Sequence, residues 1–392
     1  MIEQSADVKP SVKLKYGMVG GGQGAFIGDV HRKSIALDGL AEIAAGCFSR
    51  SAENTLVTGA ALGISNDRLY KSFEEMAVEE AKRPDKIDFV VIVTPNYAHA
   101  TVAKAFLNQG IPVVCDKPLC VEEADARELA ELARKKKLLF MVTYTYAGNP
   151  TVKHARELIR QGEIGKIHFV NGEYPQEWLL ADAENQGSKQ AAWRTDPKLA
   201  GKSNSLGDLG SHIEHTVSYL TGLRIKSVCA KLTGTLYNRA LDDNASILLE
   251  YEGGATGMYW SSQVASGYDN AMKIRIFGSK GAIEFNEEEC NYVKVSFFGK
   301  PTTVLSRGRD SFYPHAQSFS RIPSGHPEGY FESLANLYKT YISALIKQKE
   351  GKALTEADLD FPNAEAGLDG VRFIGKCVES SNKGAIWINF RD

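Results

Sequence analysis

The chain has 392 residues, more than one ordinary hydrophobic core requires, and this length predicts two domains. Its hydrophobic content of 43% and charged content of 24% are typical of a soluble globular protein. A formal charge of −2 gives no basic field for nucleic acid, and no apolar run approaches the ~20 residues that span a membrane. The six cysteines are dispersed and form no Cys-x-x-Cys pair, which indicates free thiols in a reducing cytoplasm.

A glycine-rich turn dominates the start of the chain. Residues 1–11 are polar, lack the apolar segment of a signal peptide and are expected to form a flexible tail. Residues 14–31 then read LKYGMVGGGQGAFIGDVH, an apolar strand followed by a glycine turn and a helix start. Such a turn brings backbone N–H groups and a helix N-terminus to a pyrophosphate, although alone it is a weak motif. The cofactor contacts predicted here are Gly20, Gly22, Gln23, Gly24, Ala25, Phe26 and Ile27.

The end of the second predicted strand bears on the choice of dinucleotide. This strand covers residues 42–48 and is followed by Ser49 and Arg50, where no acidic side chain is available for a ribose 2′-hydroxyl. Ser49 and Arg50 are predicted cofactor contacts that could accommodate a 2′-phosphate. An arginine in a loop is also often solvated, so NAD and NADP both remain open.

Three further strands alternate with helices and predict a right-handed parallel sheet. The apolar run at residues 87–93 is typical of a strand buried on both faces, and shorter strands are predicted at residues 111–115 and 138–143. Because ligands bind at the carboxyl ends of such strands, polar residues that follow them are candidate contacts. The predicted cofactor residues in these loops are Thr94, Pro95, Asn96, His99, Asp116 and Lys117. The dinucleotide-binding domain is assigned to residues 12–146.

Beyond residue 146 the pattern changes to consecutive strands. Strand-like runs cover residues 227–235, 245–251, 256–263, 272–277, 282–285 and 292–298, and two helices finish the chain. Strands without intervening helices predict an open, mainly antiparallel sheet in a substrate-binding α+β domain of residues 147–392. The helices suffice to cover one face of this sheet. We therefore expect a homodimer or homotetramer that packs through the other face.

Lys117 is the first candidate for chemistry. It lies between Asp116 and Pro118 at the end of a predicted strand, and the proline restricts its backbone to extended conformations. A lysine held beside a cofactor can hydrogen-bond a substrate hydroxyl. The alternative is a surface lysine in a turn.

Asp208 and His212 form the second candidate. If their segment is helical, the two residues stand four apart on one face, where a carboxylate fixes the imidazole tautomer of a general base. One alternative is a helix N-terminus with an acidic cap and incidental histidines. Another is a metal site that also uses His215, although no further ligand is evident and none is assigned.

Aromatic and hydrogen-bonding residues suggest where a polyhydroxylated ligand binds. The predicted substrate contacts are Tyr144, Tyr146, Asn149, Trp193 and Arg194, together with Asp208 and His212. A buried tryptophan in a core would explain Trp193 equally well. The segment 306–330 carries three arginines and two histidines, and is either solvated or an excursion toward a site or neighbouring subunit.

These pieces in this order resemble the Gfo/Idh/MocA family of oxidoreductases, from Lys13 to about Trp387. Asp116-Lys117-Pro118 resembles the family's Glu-Lys-Pro, with aspartate in place of glutamate, and the segment 208–212 (DLGSH) resembles its Asp-x-x-x-His region. The turn at residues 277–281 (FGSKG) resembles a family hairpin. The fold implied is a Rossmann doubly wound sheet followed by an open sheet domain.

The resemblance implies an NAD- or NADP-dependent dehydrogenase of a secondary hydroxyl on a cyclitol or pyranose. In that case Lys117 polarises the reacting oxygen, His212 takes its proton, and Asp208 orients His212 and the substrate. The turn sequence GGGQGAFIGDVHR is similar to the scyllo-inositol and L-glucose dehydrogenase branch. The alternatives are a non-catalytic dinucleotide-sensing regulator and a metal-dependent sugar isomerase or hydrolase.

Overall fold

The computed structural model describes residues 13–391 and contains one five-stranded and one nine-stranded sheet. The predicted tail at residues 1–11 lies outside the described residues. Of the helices in the described range, none has the length and apolar character needed to cross a membrane.

The five-stranded sheet is parallel, with strand order β2-β1-β3-β4-β5, which confirms the predicted Rossmann domain. Its strands are β1 (Leu14–Gly20), β2 (Ala41–Cys47), β3 (Phe89–Val93), β4 (Val113–Cys115) and β5 (Phe140–Val142). The intervening helices are α1 (Phe26–Leu37), α2 (Ala52–Ala61), α3 (Phe73–Lys82), α4 (Asn96–Asn108) and α5 (Glu123–Lys136). The chain order reverses between β1 and β3, and crevices at such a reversal bind ligands in doubly wound sheets.

Helix α4 begins at Asn96, so only Thr94 and Pro95 separate it from the end of β3. Pro95 precedes it as the N-cap with φ −59°, an angle that the proline ring already holds near its helical value. The loop from β3 to α4 is therefore a single turn, which brings the helix N-terminus close to the strand end.

The nine-stranded sheet has the order β13-β12-β11-β10-β6-β9-β8-β7-β14. Every pair is antiparallel except β6 and β9, which confirms the mainly antiparallel prediction. The strands are β6 (Ile167–Pro175), β7 (Ile225–Thr233), β8 (Asn244–Tyr251), β9 (Thr256–Ser262), β10 (Lys273–Gly278), β11 (Gly281–Asn286), β12 (Tyr292–Phe297), β13 (Thr303–Ser306) and β14 (Ile388–Asn389). The helices of this half are α6 (Pro150–Arg160), α7 (Lys189–Arg194), α8 (Pro197–Ala200), α9 (Ser211–Thr221), α10 (Pro314–Gln317), α11 (Tyr330–Lys349) and α12 (Ala364–Asn382).

The two faces of this sheet differ in their cover. Side chains on one face, such as Val170, Ile247 and Ile274, join a core with residues of α6, α9 and α12. On the other face Leu248 and Met258 remain 50% and 45% exposed. The sheet therefore has an uncovered face, as the sequence predicted, and it carries apolar side chains.

Helix α11 packs on the Rossmann sheet although it follows the second sheet in the chain. Tyr338 and Tyr341 are buried in one core with Tyr16 and Phe89 of β1 and β3. The segment 306–330 leads into this helix and is anchored on the first domain, since Arg321 pairs with Asp38 at the C-terminal end of α1. The predicted domain boundary at residue 146 stays a prediction, but the two halves share a core through α11.

Candidate active site

Lys117 reaches from the first domain to the second. It follows β4 in a cis peptide bond with Pro118, and its Nζ donates to Oδ1 of Asp208 at 2.6 Å and to the Asp208 backbone oxygen at 2.8 Å. The lysine side chain is 15% exposed. Lys117 is therefore part of a contact between the domains, and the surface-lysine alternative is wrong.

Asp208 lies in a π-helical turn (Leu206–Gly210) that runs into α9. Its second oxygen accepts a hydrogen bond from Gln263 Nε2 at 3.0 Å and lies 3.4 Å from Nε of Arg194. Burial by itself would raise the pKa of Asp208, but Lys117 and Arg194 outweigh it and lower that pKa below its usual range. Asp208 is thus a partly buried carboxylate held ionised by two cations.

His212 lies one turn further on and is buried among aromatic rings. Its ring centroid is 4.9 Å from that of Tyr146 and 5.8 Å from that of Tyr144, and its Nδ1 has no hydrogen-bond partner. Burial and then the Lys117 charge lower the pKa of His212 well below 6.5. A neutral imidazole with an unpaired nitrogen can accept a proton.

The prediction that Asp208 orients His212 through a hydrogen bond is wrong. The expected i, i+4 pair assumed an α-helix, whereas the π-helical turn widens the spacing at this point. Both carboxylate oxygens of Asp208 are instead engaged by Lys117, Gln263 and Arg194. Asp208 influences His212 through its charge, and aromatic packing sets the orientation of the imidazole.

His215 faces another part of the molecule. Its ring stacks on Tyr144 at 4.3 Å and lines a separate cavity of about 300 Å³ together with Glu214 and Asp369. Burial lowers the pKa of His215 to about 3. Within residues 13–391 no group of three or more His, Cys, Asp or Glu side chains is arranged to hold a metal ion, so the metal-site alternative gains no support.

The structure separates the predicted substrate residues into two groups. Tyr146, Trp193 and Arg194 lie toward Asp208 and His212, and the Arg194 guanidinium stacks on the Trp193 ring at 4.3 Å. Tyr144 lies behind His212, because a Cβ on Gly370 of α12 would meet its hydroxyl at 2.2 Å. Asn149 is the N-cap of α6 and is buried. The side chains of Tyr144 and Asn149 are both buried, and their roles as substrate contacts stay predictions.

The glycine turn has the shape of a phosphate cradle. Gly20 ends β1 with φ +85°, and a Cβ there would lie 2.8 Å from the backbone oxygen of Val93. A Cβ on Gly28 would lie 2.4 Å from Cα of Gly21, so the first turn of α1 packs directly on the strand end. Sequence reasoning missed Gly28, whose spacing from the turn was the available signal. Glycine at these positions allows the close approach that a pyrophosphate site requires.

The N-terminus of α1 is available to a ligand. Its N-cap, Ala25, offers no side-chain hydrogen bond, and Phe26 beside it is 67% exposed. The N–H of Gln23, in contrast, already donates to Asn54 and Thr58 on α2. The turn therefore fits a dinucleotide phosphate through Gly24 and the first residues of α1, with Gln23 fixing its shape.

The remaining predicted cofactor residues line the same edge of the sheet. Ser49 accepts a hydrogen bond from Ser51, the N-cap of α2, and Arg50 is exposed. The Thr94 hydroxyl is buried without a partner, and Asp116 accepts from Thr143 and from the Lys117 backbone. Pro95, which caps α4, and Asn96, which donates to the Ala200 oxygen, complete this edge.

His99 has a supporting role. One ring nitrogen contacts the oxygen of Pro118 at 2.9 Å and the other contacts that of Thr94 at 2.7 Å. Both ring nitrogens are therefore engaged by backbone oxygens, and the role of His99 as a cofactor contact stays a prediction. The residue ties the loop after β3 to the loop that carries Lys117.

Gln263 and Tyr174 are site residues that sequence reasoning missed. Gln263 follows β9 and is fully buried, with its Oε1 unpartnered and its Nε2 on Asp208. Tyr174, on β6, places its ring 6.1 Å from that of His212 and bonds to the Tyr146 hydroxyl. Their positions near predicted strand ends were the available signal, but strand pairing alone brings them to α9.

A Rossmann sheet with a phosphate cradle, facing a lysine and a histidine, defines a dinucleotide-dependent oxidoreductase. The family described as "Oxidoreductase family, NAD-binding Rossmann fold" matches residues 14–144, and the "GFO/IDH/MocA C-terminal domain" matches residues 152–284. The chain belongs to the Gfo/Idh/MocA family, and it is an NAD-binding oxidoreductase of that family.

The chain is similar to three further proteins. It is 35% identical to "Uncharacterized oxidoreductase YfiI" of Bacillus subtilis (strain 168), over 97% of this chain and 98% of that protein. It is 30% identical to levoglucosan dehydrogenase of Pseudarthrobacter phenanthrenivorans, over 55% of this chain and 59% of that protein. An inositol dehydrogenase homolog from Azotobacter vinelandii was solved with NAD+ (TM-score 0.93, 36% identity) and with NADH and myo-inositol (TM-score 0.90, 34% identity). Each of these two matches covers 97% of this chain and 98% of the solved chain.

Proposed function

We propose that the protein oxidises a secondary ring hydroxyl of a cyclitol or pyranose to the ketone or lactone, in a reversible reaction with NAD or NADP. The observation that carries the proposal is the Lys117–Asp208 contact beside an imidazole with a free nitrogen. The relatives named for inositol and levoglucosan chemistry support this substrate class. The resemblance of the glycine turn makes scyllo-inositol and L-glucose the first substrates to test.

Residues of the protein bind the reacting hydroxyl and remove its proton. When bound, the nicotinamide supplies the acceptor for the hydride that leaves the carbinol carbon. Lys117 donates a hydrogen bond to the reacting oxygen, and His212 takes the hydroxyl proton as the carbon–oxygen double bond forms. Asp208 holds the lysine in place and, with Arg194, contacts neighbouring hydroxyls. Gly20, Gly24 and the N-terminus of α1 hold the pyrophosphate.

A substrate-by-cofactor matrix tests the proposal. Purified protein is incubated with scyllo-inositol, myo-inositol, L-glucose and levoglucosan, each with NAD and with NADP, while nicotinamide absorbance is followed. We expect reduction of the cofactor with at least one cyclitol or pyranose. Tight dinucleotide binding without turnover of any polyol would instead favour the sensing regulator.

Arg50 is proposed to set the tolerance for NADP. It is an exposed cation beyond β2, where the loop 48–52 offers no carboxylate to a ribose 2′-hydroxyl. Arg50→Ala should weaken NADPH binding about tenfold and leave NADH binding within about twofold, since one exposed charge contact with phosphate is lost. Quenching of protein fluorescence by each dinucleotide measures both constants. Arg134→Ala, at an exposed arginine of α5, is the control.

The uncovered face of the nine-stranded sheet is proposed to join copies of the chain in a homodimer or homotetramer. The exposed Leu248 and Met258 on this face support the assignment. Met258→Glu should lower the mass measured by light scattering at micromolar concentration, whereas Val78→Glu on α3 should not. A monomeric wild-type protein would contradict the proposal. The six unpaired cysteines support a reducing compartment such as the cytoplasm.

A further inference from the structure

A chain of hydrogen bonds, buried at Tyr146 and Tyr174 and partly buried beyond them, runs from beside His212 to Glu287. The hydroxyls of Tyr146 and Tyr174 are 2.5 Å apart, and the Tyr174 hydroxyl lies 2.6 Å from Oδ1 of Asn270. Nδ2 of Asn270 donates to Oε2 of Glu287 at 3.0 Å. The chain connects the turn after β5, strand β6, and the loops on either side of β10 and β11. None of its bonds belongs to the Lys117–Asp208 network.

The direction of this chain follows from its far end. Burial raises the pKa of Glu287 to about 7, and above that pH the ionised carboxylate can only accept, so it orients the Asn270 amide with the NH₂ group toward itself. The Asn270 oxygen then faces Gln176 Nε2 at 2.7 Å and the Tyr174 hydroxyl, and accepts from both. The opposite amide orientation would set two oxygens against each other at Glu287 and two NH₂ groups against each other at Gln176.

Each phenol has a single proton to give. Burial raises the pKa of Tyr146 and of Tyr174 well above 10, so both hydroxyls stay protonated. Tyr174 gives its proton to Asn270 and must therefore accept from Tyr146. The Tyr146 proton is consequently engaged, and its oxygen has only lone pairs left for a third group.

We propose that Tyr146 determines substrate specificity as an obligate acceptor, which selects a polyol with a hydroxyl that can donate beside the reacting carbon. The Tyr146 ring lies 4.9 Å from that of His212, so a substrate held by His212 lies next to it. This inference rests on the proposed function. A deoxyfluoro analogue lacks the donor and leaves the Tyr146 oxygen unpaired in a buried site.

The first test compares myo-inositol with its monodeoxyfluoro derivatives in wild type and in Tyr174→Phe. Binding to the NADH complex is measured by calorimetry at pH 8.5, above the pKa of about 7 to which burial raises Glu287. In wild type, fluorine at one ring position should weaken binding about tenfold to a hundredfold. In Tyr174→Phe the Tyr146 proton is released, and the penalty at that position should fall to about threefold or less.

The control variant is Tyr251→Phe. Tyr251 and Tyr259 form another buried hydroxyl pair at 2.6 Å on the same sheet, and no ring contact joins either of them to His212 in residues 13–391. Tyr251→Phe should keep the wild-type preference for hydroxyl over fluorine. The proposal would be overturned if fluorine weakened binding equally in Tyr174→Phe and Tyr251→Phe. It would also be overturned if fluorine at no ring position weakened binding to the wild type.

A second measurement does not depend on the substrate class. Neutron diffraction from deuterium-exchanged crystals of the NADH complex locates the deuteron on each tyrosine. We expect the Tyr146 deuteron on the line to Tyr174, and the Tyr174 deuteron on the line to Asn270. A Tyr146 deuteron directed toward His212 would overturn the proposal. If myo-inositol does not bind, the fluoro comparison uses the polyol that the substrate-by-cofactor matrix identifies; if the matrix identifies none, the proposed substrate class fails, and the neutron result still decides the direction of the hydrogen-bond chain.

Discussion

The protein contains two lysine–aspartate pairs of equal length, one partly buried and one fully buried. Lys117 and Asp208 are 2.6 Å apart with side-chain exposures of 15% and 19%, whereas Lys153 and Asp360 are 2.6 Å apart at 1% and 5%. The first pair joins the loop after β4 to the π-helical turn before α9, and the second joins α6 to Asp360. Neither the distance nor the residue types distinguish a catalytic pair from a structural one.

The neighbouring polar atoms distinguish them. Asp360 also receives hydrogen bonds from Arg156, Tyr219 and His315, which complete its shell. Around Asp208, in contrast, His212 Nδ1 and Gln263 Oε1 lack partners, and Arg194 Nε makes an ion contact without hydrogen-bond geometry. Unpaired buried polar atoms also occur elsewhere, for example at His154 and His215. It is their position around the Lys117–Asp208 contact, which joins the two sheets' domains, that makes the cluster a candidate place for a ligand.

The largest effect is expected at His212. His212→Asn should lower kcat for polyol oxidation about 10²-fold to 10⁴-fold through loss of the general base, while His215→Asn should retain most of it. The depressed pKa keeps wild-type His212 neutral at pH 7, so the acid limb of kcat/KM should lie below pH 6.5. Rate profiles from pH 5 to 9 measure this limb. Equal losses in the two variants would contradict the assignment.

Lys117 is the next most sensitive position. Lys117→Met removes the donor to the reacting oxygen and should lower kcat about 10²-fold to 10³-fold with NADH binding retained. Lys153→Met removes the other lysine and should leave kcat within about threefold wherever the variant is folded. Steady-state kinetics with a fluorescence check of NADH binding compare them. A larger loss of kcat in Lys153→Met than in Lys117→Met would show that the unpaired polar atoms around Asp208 do not mark the active site.

The order of the two lysines should reverse for the free energy of unfolding, which should fall more in Lys153→Met than in Lys117→Met. Lys153→Met leaves Asp360 buried with fewer partners and should cost about 3–5 kcal/mol of unfolding free energy at pH 7. Burial alone would raise the pKa of Asp360, but Lys153, His315 and Arg156 lower it below its usual range. The stabilisation is present above the unfolded pKa of about 3.9 and is lost as pH falls toward the folded value. Urea titrations should therefore show that the difference in unfolding free energy between wild type and Lys153→Met becomes smaller below that pH.

The smallest effect on kcat is expected at Gln263. Gln263→Leu removes one hydrogen bond to the Asp208 carboxylate and should lower kcat about tenfold. The conservative Gln263→Asn, which is one methylene shorter, should not restore the rate, whereas NADH binding should be unchanged in both. The same measurements as for Lys117 apply. An unchanged kcat would mean that Lys117 alone orients Asp208.

Much of the site was accessible from residue patterns. The apolar strand before the glycine turn, and the runs that precede Thr94 and Lys117, locate strand ends, and parallel strands carry their ligands at those ends. Ser49 and Arg50 were placed correctly beyond β2 for the same reason. Local chain geometry is sufficient there, because each prediction concerns residues within a few positions of a strand end.

The amino-acid sequence by itself determined the two-sheet architecture and made Lys117, Asp208 and His212 the candidates for catalysis, because periodicity and turn residues act locally. Only the tertiary structure decided that Asp208 pairs with Lys117 instead of His212, since the π-helical turn changes the spacing. It also decided that Gln263 completes the carboxylate and that α11 packs on the first sheet. These contacts join residues far apart in the chain, and their energies depend on burial and pairing that exist only after folding.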